Sequence, residues 1–230
     1  MIIRPTVVLT LLYMSANATP DHVEIKHTSR EIAIQAFDDP QWAAAKEVAI
    51  HTYWSGQKAP NERGFRARLL WSSTSLYVRF EAEQREPLII SEKPDVSSKA
   101  LGLWNRDVCE IFIAPDKNKP GKYYEFEVAP NGEWVDLGID LTTEKRQTDV
   151  KFASGMTSSA RIDDKSVMMV IKIPFAPIAA PPKAGDVWLG NLFRCVGKNP
   201  TRGYLAWRPT RTSKPNFHVP AVFGELMFVE

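Results

Sequence analysis

Residues 123–139 read YYEFEVAPNGEWVDLGI, and this stretch decides the fold more clearly than any other part of the chain. Two strand-like runs, 123–129 and 134–139, flank the turn residues Pro130, Asn131 and Gly132. An Asn-Gly pair between two such runs is the strongest short-range hairpin signal, because both residues accept the positive φ angles of a tight turn. The stretch therefore predicts two antiparallel strands.

The same kind of pattern recurs on both sides of this hairpin. The runs 65–71 and 76–82 are separated by three serines and a threonine, which predicts a second hairpin. A helical pattern is scarce, and its best candidate is 41–48, after an Asp-Asp-Pro start. Many short strands between turn residues favour an all-β protein, an antiparallel β-sandwich with few short helices. We predict the other strands at 31–35, 108–113, 167–173, 187–196 and 226–229.

The N-terminus has the layout of a secretory signal peptide. Arg4 precedes a short apolar run, Val7 to Met14, and Ala16-Asn17-Ala18 forms a small-residue cleavage pattern. We therefore predict a signal peptide over 1–18, one domain over 19–230, and a secreted or periplasmic location. No later segment approaches the ~20 apolar residues of a membrane-spanning helix.

The composition limits which partners the chain can bind and what its two cysteines can form. The formal net charge is +2 and the basic residues are scattered, which argues against nucleic acid as a partner. The two cysteines, Cys109 and Cys195, both lie in apolar strand-like runs. They could bridge two strands or remain as two buried free thiols, and two cysteines alone cannot form a zinc site.

The segment 103–112 combines an aromatic residue in a loop with an acid in a strand. Trp104 ends the loop, and Glu110 shares one face of the following strand with Val108 and Phe112. A carboxylate in an apolar strand needs a partner, because burying it alone is costly. That partner could be an arginine, or it could be the hydroxyl groups of a sugar.

Two further segments place aromatic and planar polar side chains near one another. Sugars present apolar C–H faces and a rim of hydroxyls, so a site for them needs aromatic planes and hydrogen-bonding groups. Trp207 and Phe217 are candidate planes, although Trp207 suits a core position equally well. Arg194 and Asn216 are candidate hydrogen-bonding groups. The loops 91–103, 115–122 and 198–220 are long and polar, as functional loops on a β scaffold commonly are.

Three segments together resemble a known family. They are Trp104-x-x-Asp107-x-x-Glu110, the hairpin stretch from Tyr123 to Gly132, and the closing stretch from Asn216 to Leu226. As a set they resemble carbohydrate-binding module family 9, a member of the DOMON-like β-sandwich group, over residues 30–230. The resemblance implies a fold of two packed antiparallel sheets.

The resemblance also implies a site. In the family, two aromatic side chains enclose a terminal sugar, while an acid and an arginine hydrogen-bond its hydroxyls. Trp104 matches the first aromatic residue and Glu110 the acid. Phe217 stands where the family has tryptophan, and Glu127 lies near the position of its arginine, so two contacts are changed. Calcium accompanies some members, but no loop here is dense in Asp and Asn, so we predict no cofactor and leave calcium open.

These observations predict a secreted, non-catalytic protein that binds a mono- or oligosaccharide and assists polysaccharide breakdown beside glycoside hydrolases. A glycosidase needs two carboxylates facing one bond, whereas Asp107 and Glu110 point to opposite faces of a strand. One alternative is a protein-interaction sandwich whose sugar site has decayed. Another is a haem-binding DOMON-like domain, with axial ligands drawn from Met168, Met169, Met227 and His218.

Overall fold

The computed structural model describes residues 21–230, so the predicted signal peptide over 1–18 lies outside the described residues. The described chain forms thirteen strands and four short 3-10 helices. The helices span Pro40–Ala44, Asn61–Arg63, Leu103–Asn105 and Pro220–Val222. The strands are β1 (His22–His27), β2 (Val48–Ile50), β3 (Phe65–Trp71), β4 (Ser75–Glu83), β5 (Val108–Ala114), β6 (Lys122–Val128), β7 (Trp134–Asp140), β8 (Gln147–Asp149), β9 (Thr157–Ile162), β10 (Ser166–Pro174), β11 (Val187–Val196), β12 (Gly203–Ala206) and β13 (Gly224–Val229).

The strands form one long sheet that curls back on itself. Their order is β8-β7-β6-β5-β11-β13-β1-β3-β4-β10-β9, with β12 paired to β11 and β2 paired to β3. Neighbouring strands are antiparallel except at β1, which runs parallel to both β13 and β3. Strand β1 therefore joins a first half, from β8 to β13, to a second half, from β3 to β9.

The two halves pack face to face around the main hydrophobic core. This core combines Val128 and Leu192 of the first half with Phe80 and Ile171 of the second, all fully buried. The two halves also contact each other outside this core, because the Ser158 hydroxyl on β9 donates to the carbonyl of Gly132 in the β6–β7 turn at 2.8 Å. The sheet thus closes into the predicted sandwich. Within residues 21–230, no helix is long and apolar enough to cross a membrane.

The predicted hairpin is confirmed as β6 and β7. Their register pairs Val128 with Trp134, and the amide of Ala129 donates to the carbonyl of Glu133 at 2.8 Å to close the turn. Gly132 has a φ of 86°, the left-handed conformation that glycine adopts without a steric penalty. The Asn-Gly pair therefore located the turn, but only Gly132, and not Asn131, adopts the positive φ that the signal assumes. The second predicted hairpin is also confirmed, as β3 and β4.

Two predicted elements near the N-terminus are wrong. Residues 31–35 form no strand, and residues 41–48 form no continuous helix, because a 3-10 helix ends at Ala44 and β2 begins at Val48. Instead, this segment covers the outer face of the second half of the sheet. Ile32 and Trp42 are buried there against Leu70, Tyr77 and Val170. The apolar residues that suggested regular elements serve this tertiary packing.

Several strands were not predicted, because their sequences do not alternate between apolar and polar residues. Strands β8 and β9 are the two edges of the sheet, so one or both of their faces stay partly exposed and polar residues are tolerated. Strand β1 is short and follows directly after the predicted leader. It forms a strand by pairing in parallel with β3 and β13, whose residues lie about 45 and 200 positions away in the chain. No local sequence pattern can show such a pairing.

Glu31 fixes the covering segment to the sheet. Its carboxylate accepts hydrogen bonds from Lys172 Nζ at 2.6 Å, Ser72 Oγ at 2.7 Å and Thr74 Oγ1 at 3.0 Å, and also from the hydroxyl of Tyr77. Partial burial raises the pKa of Glu31, but these donors outweigh that effect and lower the pKa from 4.5 to about 2. Glu31 therefore stays ionised in the fold at acidic pH.

The protein should lose stability on acidification through Glu31. Because the folded pKa lies below the unfolded one, this contribution is complete above about pH 4.5 and is lost as the pH falls towards 2. The side chain is 49% exposed, so we expect only about 1 kcal/mol. Urea unfolding of Glu31→Gln should show this loss at pH 7 and a smaller one at pH 3. Exposed Glu62→Gln is the control, and an equal loss at both pH values would contradict the assignment.

The two cysteines cannot form a disulfide with each other. Cys109 on β5 faces the main core, whereas Cys195 on the adjacent β11 faces the opposite side of the sheet. Both are free and buried, and burial raises the pKa of Cys109 to about 12. Of the two alternatives that the sequence allowed, the free-thiol one is correct.

Candidate functional site

The first half of the sheet is covered on its outer face as well. A second apolar cluster lies there on β5, β6, β7 and β11, beneath the loops that precede β5 and β13. Between these loops and the strands lies a cavity of about 420 Å³. Its lining consists of Trp104, Asn105, Glu110, Phe112, Glu125, Leu137, Ile139, Arg146, Thr148, Cys195, Asn199, Arg202, Tyr204, Pro215, Asn216, Phe217 and His218.

Trp104 presents an indole ring at one wall of the cavity. It lies in the 3-10 helix Leu103–Asn105, where Leu103 is buried and anchors the turn. Arg202 donates from Nη2 to the carbonyls of Trp104 at 2.9 Å and Arg106 at 2.5 Å, so the backbone is held from the opposite loop. The Trp104 residue is nevertheless 41% exposed. A fixed backbone with an exposed aromatic ring is suited to stacking against a ligand.

Phe217 forms a second, less accessible aromatic wall. Its ring stacks on Phe193, with the centroids 4.1 Å apart and the planes 12° from parallel. Tyr204 contacts it edge-on at 6.1 Å. One face of Phe217 is therefore occupied by the protein, and only 9% of the residue is exposed. Beside it, Asn216 accepts from the amide of His218 at 3.1 Å through Oδ1.

Three carboxylates meet beneath the cavity. Glu110 on β5 pairs in register with Glu127 on β6, and Glu125 lies two residues before Glu127 on the same face. Carboxylate oxygens of the three residues all lie within 4.8 Å of one another. The residues are between 0% and 4% exposed, and Glu110 and Glu125 reach the cavity wall.

Burial governs the protonation of these acids. It raises the pKa of Glu110 and Glu127 well above the usual value, and the neighbouring carboxylates raise it further. Burial also raises the pKa of Glu125. Glu110 accepts one weak hydrogen bond, from Cys195 Sγ at 3.5 Å. Both carboxylate oxygens of Glu127 and Oε2 of Glu125 are buried without a hydrogen-bond partner.

His218 lies next to this cluster. Its Nδ1 is 2.7 Å from the hydroxyl of Tyr123, and its Nε2 is 4.0 Å from Oε2 of Glu125. Burial, followed by the charge of Arg146, lowers the pKa of His218 to about 4. The imidazole is therefore neutral near pH 7 and offers one ring nitrogen lone pair.

The structure brings together four of the six predicted site residues. Trp104, Glu110, Asn216 and Phe217 line the cavity, whereas Arg194 and Trp207 do not. Arg194 is on the opposite face of β11 from Phe193 and is buried, because successive strand residues point to opposite sides. Trp207 is 1% exposed in the main core. The structure therefore does not bring these two predicted residues together with the other four.

Sequence reasoning missed other residues of the cavity. Glu125 could have been recognised from the sequence, because it lies two residues before Glu127 in a run that alternates between acidic and apolar residues. Tyr204, Arg146 and Arg202 had none, since they reach the cavity from a short strand and two loops that no local pattern places. His218 was considered only as a haem ligand, yet the cavity lining contains no methionine to pair with it.

One curated protein is similar to this chain in sequence. A curated relative is named "Extracellular protein" and comes from Arthroderma benhamiae. It is 25% identical over 176 residues, which cover 70% of this chain and 77% of the relative.

Solved structures share the fold over nearly the whole chain. A candidate carbohydrate-binding protein from Bacteroides uniformis matches with a TM-score of 0.72 at 18% identity, covering 90% of this chain and 98% of its own. A family 9 carbohydrate-binding module from Caldicellulosiruptor kristjanssonii, solved with cellotriose, matches with a TM-score of 0.64 at 14% identity, covering 90% and 93%. Its glucose complex matches with a TM-score of 0.61 at 14% identity, covering 90% and 95%.

The family itself is established by a model that spans most of the chain. That model describes carbohydrate family 9 binding domain-like proteins and matches residues 34–230. The match includes every strand from β2 to β13 and all the residues that line the cavity. The chain therefore belongs to the carbohydrate family 9 binding domain-like family.

Proposed function

We propose that the protein binds a saccharide in the cavity beside Trp104, as a non-catalytic binding domain over residues 19–230. The observation that carries the proposal is an exposed indole ring on a fixed backbone, in the wall of a cavity that is also lined by the carboxyl groups of Glu110 and Glu125. A pyranose needs this combination, because its C–H face packs on an aromatic plane while its hydroxyls need hydrogen-bond acceptors and donors.

The rest of the cavity suits the same ligand. Its volume of about 420 Å³ lies in the range of small-molecule sites, ~300–1,000 Å³. Phe217 offers a partly covered second plane, and Tyr204 adds an aromatic edge. Asn216 and Glu110 supply polar groups to the cavity wall. One broad plane and one covered plane favour a single terminal sugar over a long chain gripped on both faces.

The proposal assigns no catalysis to the site. Asp107, the acid nearest in sequence to Glu110, is only 1% exposed and does not line the cavity. Its two oxygens accept from the amides of Ile89 at 3.1 Å and Gly197 at 2.7 Å, so it holds two loops together. Asp107 therefore does not pair with Glu110 across a glycosidic bond. Glu110 and Glu125 do both line the cavity, but burial raises the pKa of each, which disfavours the ionised carboxylate that glycoside hydrolysis uses as nucleophile or base.

We also propose an exported protein that assists polysaccharide breakdown beside glycoside hydrolases. The signal-peptide pattern over 1–18 supports export. The name of the Arthroderma benhamiae relative is consistent with it. Sequencing the N-terminus of the protein recovered from a secreting host tests this point, because cleavage should leave a mature chain that starts at Thr19.

The saccharide proposal is tested by replacing Trp104. On a broad glycan array, the wild type should bind at least one glycan, and the same glycan should quench its tryptophan fluorescence. Trp104→Ala should weaken that binding about thirtyfold or more, since truncating a central tryptophan commonly costs ~2 kcal/mol or more of binding energy. Because Trp104 is 41% exposed, the change should leave the thermal midpoint nearly unaltered.

The matched control is Leu101→Ala. Leu101 lies in the same loop and is 58% exposed, but it does not line the cavity. It should keep wild-type affinity. If no glycan binds, the fold is a sandwich without a sugar site and the proposal fails. If Trp104→Ala binds as tightly as wild type, the site lies elsewhere. Hydrolysis of an aryl glycoside that is lost in Glu110→Gln would contradict the absence of catalysis.

A further inference from the structure

The cluster of three acids beneath the cavity has more carboxyl groups than a sugar site requires. Glu110 and Glu125 reach the cavity, but Glu127 is fully buried and does not line it. A saccharide in the cavity leaves Glu127 unpartnered. We propose that Glu110, Glu125 and Glu127 together bind one divalent cation of the oxygen-preferring class, such as Ca²⁺ or Mn²⁺, at the floor of the cavity.

The backbone places the three ligands around one point. The register of β5 and β6 sets Glu110 directly opposite Glu127, and the two-residue strand repeat returns Glu125 to the same face. One oxygen from each lies within 4.8 Å of the others. Ligands of a Ca²⁺ ion sit about 2.3–2.6 Å from it, so two of them are at most about 5 Å apart. The observed spacing is therefore compatible with one shared ion.

Unpartnered oxygens point to a missing ligand. Both oxygens of Glu127 and Oε2 of Glu125 are buried and accept from no donor outside the cluster, because the carboxyl groups of Glu125 and Glu127 have only each other as hydrogen-bond partners. Within the part of the chain that the structure describes, no lysine or arginine forms an ion pair with the three acids. The charges of Arg202 and Arg146 act on them from beyond ion-pair distance, and His218 Nε2 lies 4.0 Å from Glu125. Buried carboxylates are normally paired or coordinate a metal, because an uncompensated buried charge is costly.

The donor set selects the kind of ion. Three carboxylates form a hard, all-oxygen set, which suits Ca²⁺, Mn²⁺ or Mg²⁺ rather than soft metals. Water molecules in the cavity can supply the remaining ligands, because Glu110 and Glu125 line it. An amine carried by a saccharide would reach those two acids but not the fully buried Glu127. A bare ion reaches all three.

The proposal is tested on purified protein freed of metal by a chelator and then desalted. Mn²⁺ is titrated in, and the electron paramagnetic resonance signal of the free ion is followed. We expect one Mn²⁺ bound per chain and its displacement by Ca²⁺. Saturating Ca²⁺ should also raise the thermal midpoint by about 5 °C or more, because a ligand that binds only the folded state stabilises it.

Glu127→Gln is the decisive variant, since it keeps the shape of the side chain but removes a charged ligand. It should lower the Mn²⁺ affinity by about tenfold or more and abolish the Ca²⁺-induced rise in the thermal midpoint. Circular dichroism checks that it is folded. Exposed Glu62→Gln is the matched control and should bind Mn²⁺ as the wild type does.

Wild-type protein that binds no Mn²⁺ overturns the proposal, and the three carboxyls then share protons instead of a metal. Wild-type affinity in Glu127→Gln would place any bound ion elsewhere and overturn it equally. The wild-type titration needs no variant, so a folding defect in Glu127→Gln leaves the test intact. No saccharide is present in these measurements, so their outcome is independent of the proposed sugar site.

Discussion

Replacing Trp207 by alanine is expected to lower the free energy of unfolding by about 3–5 kcal/mol, among the largest effects of any single substitution in this protein. Trp207 is 1% exposed and lies between the two halves of the sandwich. Its amide donates to the carbonyl of Leu192 at 2.8 Å. Its ring packs so closely over Gly224 that a Cβ added there would overlap it. Truncation would leave a large cavity at a site where close packing prevents collapse.

Guanidinium unfolding followed by circular dichroism measures this loss, because removing a tryptophan does not alter the backbone signal. Trp104→Ala is the matched control, since it removes the same side chain from a position 41% exposed. The control should lose less than about 1 kcal/mol. A loss below about 1 kcal/mol in Trp207→Ala would contradict its place in the core. The two variants together separate the tryptophan that stabilises the fold from the one proposed to bind the ligand.

Arg194→Ala should cost a similar amount, about 3–5 kcal/mol. The guanidinium is buried on β11 and donates from Nη1 to the carbonyls of Arg63 at 2.8 Å and Gly64 at 3.1 Å. From Nη2 it donates to Gln84 Oε1 at 2.6 Å. These contacts tie the first half of the sheet to the ends of β3 and β4. Alanine would remove the donor of the Arg63 carbonyl and of Gln84 Oε1, whereas the Gly64 carbonyl keeps the amide of Glu83 at 3.1 Å. Each buried acceptor that is left unsatisfied costs about 1–3 kcal/mol.

Two further variants test the geometric cause of this effect. Arg194→Lys keeps the charge but loses the planar fork of donors, so it should still lose at least about 2 kcal/mol. Arg85→Ala removes an exposed arginine and should change stability by less than about 0.5 kcal/mol. Full stability in Arg194→Lys would show that charge alone matters. Saccharide binding should persist in any folded Arg194 variant, because the residue does not line the cavity.

The strands between the cavity and the core carry different kinds of side chain on their two faces. On the inner face of β5, apolar residues such as Ile111 pack into the main core, while on its outer face Glu110 opens to the cavity. The outer face thus holds three acids in a setting where burial raises their pKa values. A protein that needed only stability would place apolar residues there. The acids are therefore the strongest sign that this face serves binding.

The site was only partly predictable from the sequence, and the reason is visible in β11. Phe193, Arg194 and Cys195 are consecutive, and every second residue faces the main core. Which of the two faces carries the cavity depends on what covers the strand, and the cover comes from loops elsewhere in the chain. Arg194 has a suitable side chain for a sugar site but lies on the wrong face. Trp207 is a second case, because this aromatic residue is followed by polar loop residues but its side chain lies in the main core.

Other parts of the fold were local and therefore predictable. The hairpins at 123–139 and 65–82 depend on turn residues and on strand patterns within about twenty positions. Trp104 and Glu110 were also recognisable, because a loop aromatic and an acid in an apolar strand stand out against their neighbours. Strand β1, by contrast, pairs in parallel with partners far away in the chain, so its two neighbours could not be inferred locally.

The sequence by itself determined the β class, the main hairpins, the family resemblance and the pairing of Trp104 with Glu110, because each of these depends on short-range pattern or motif. Only the tertiary structure decided that one sheet curls into both layers, that Cys109 and Cys195 face opposite sides, and that Arg194 and Trp207 belong to the core. It also brought Glu110, Glu125 and Glu127 together. The physical reason is that strand pairing and loop cover join residues distant in the chain, and the energy of a buried charge depends on those neighbours.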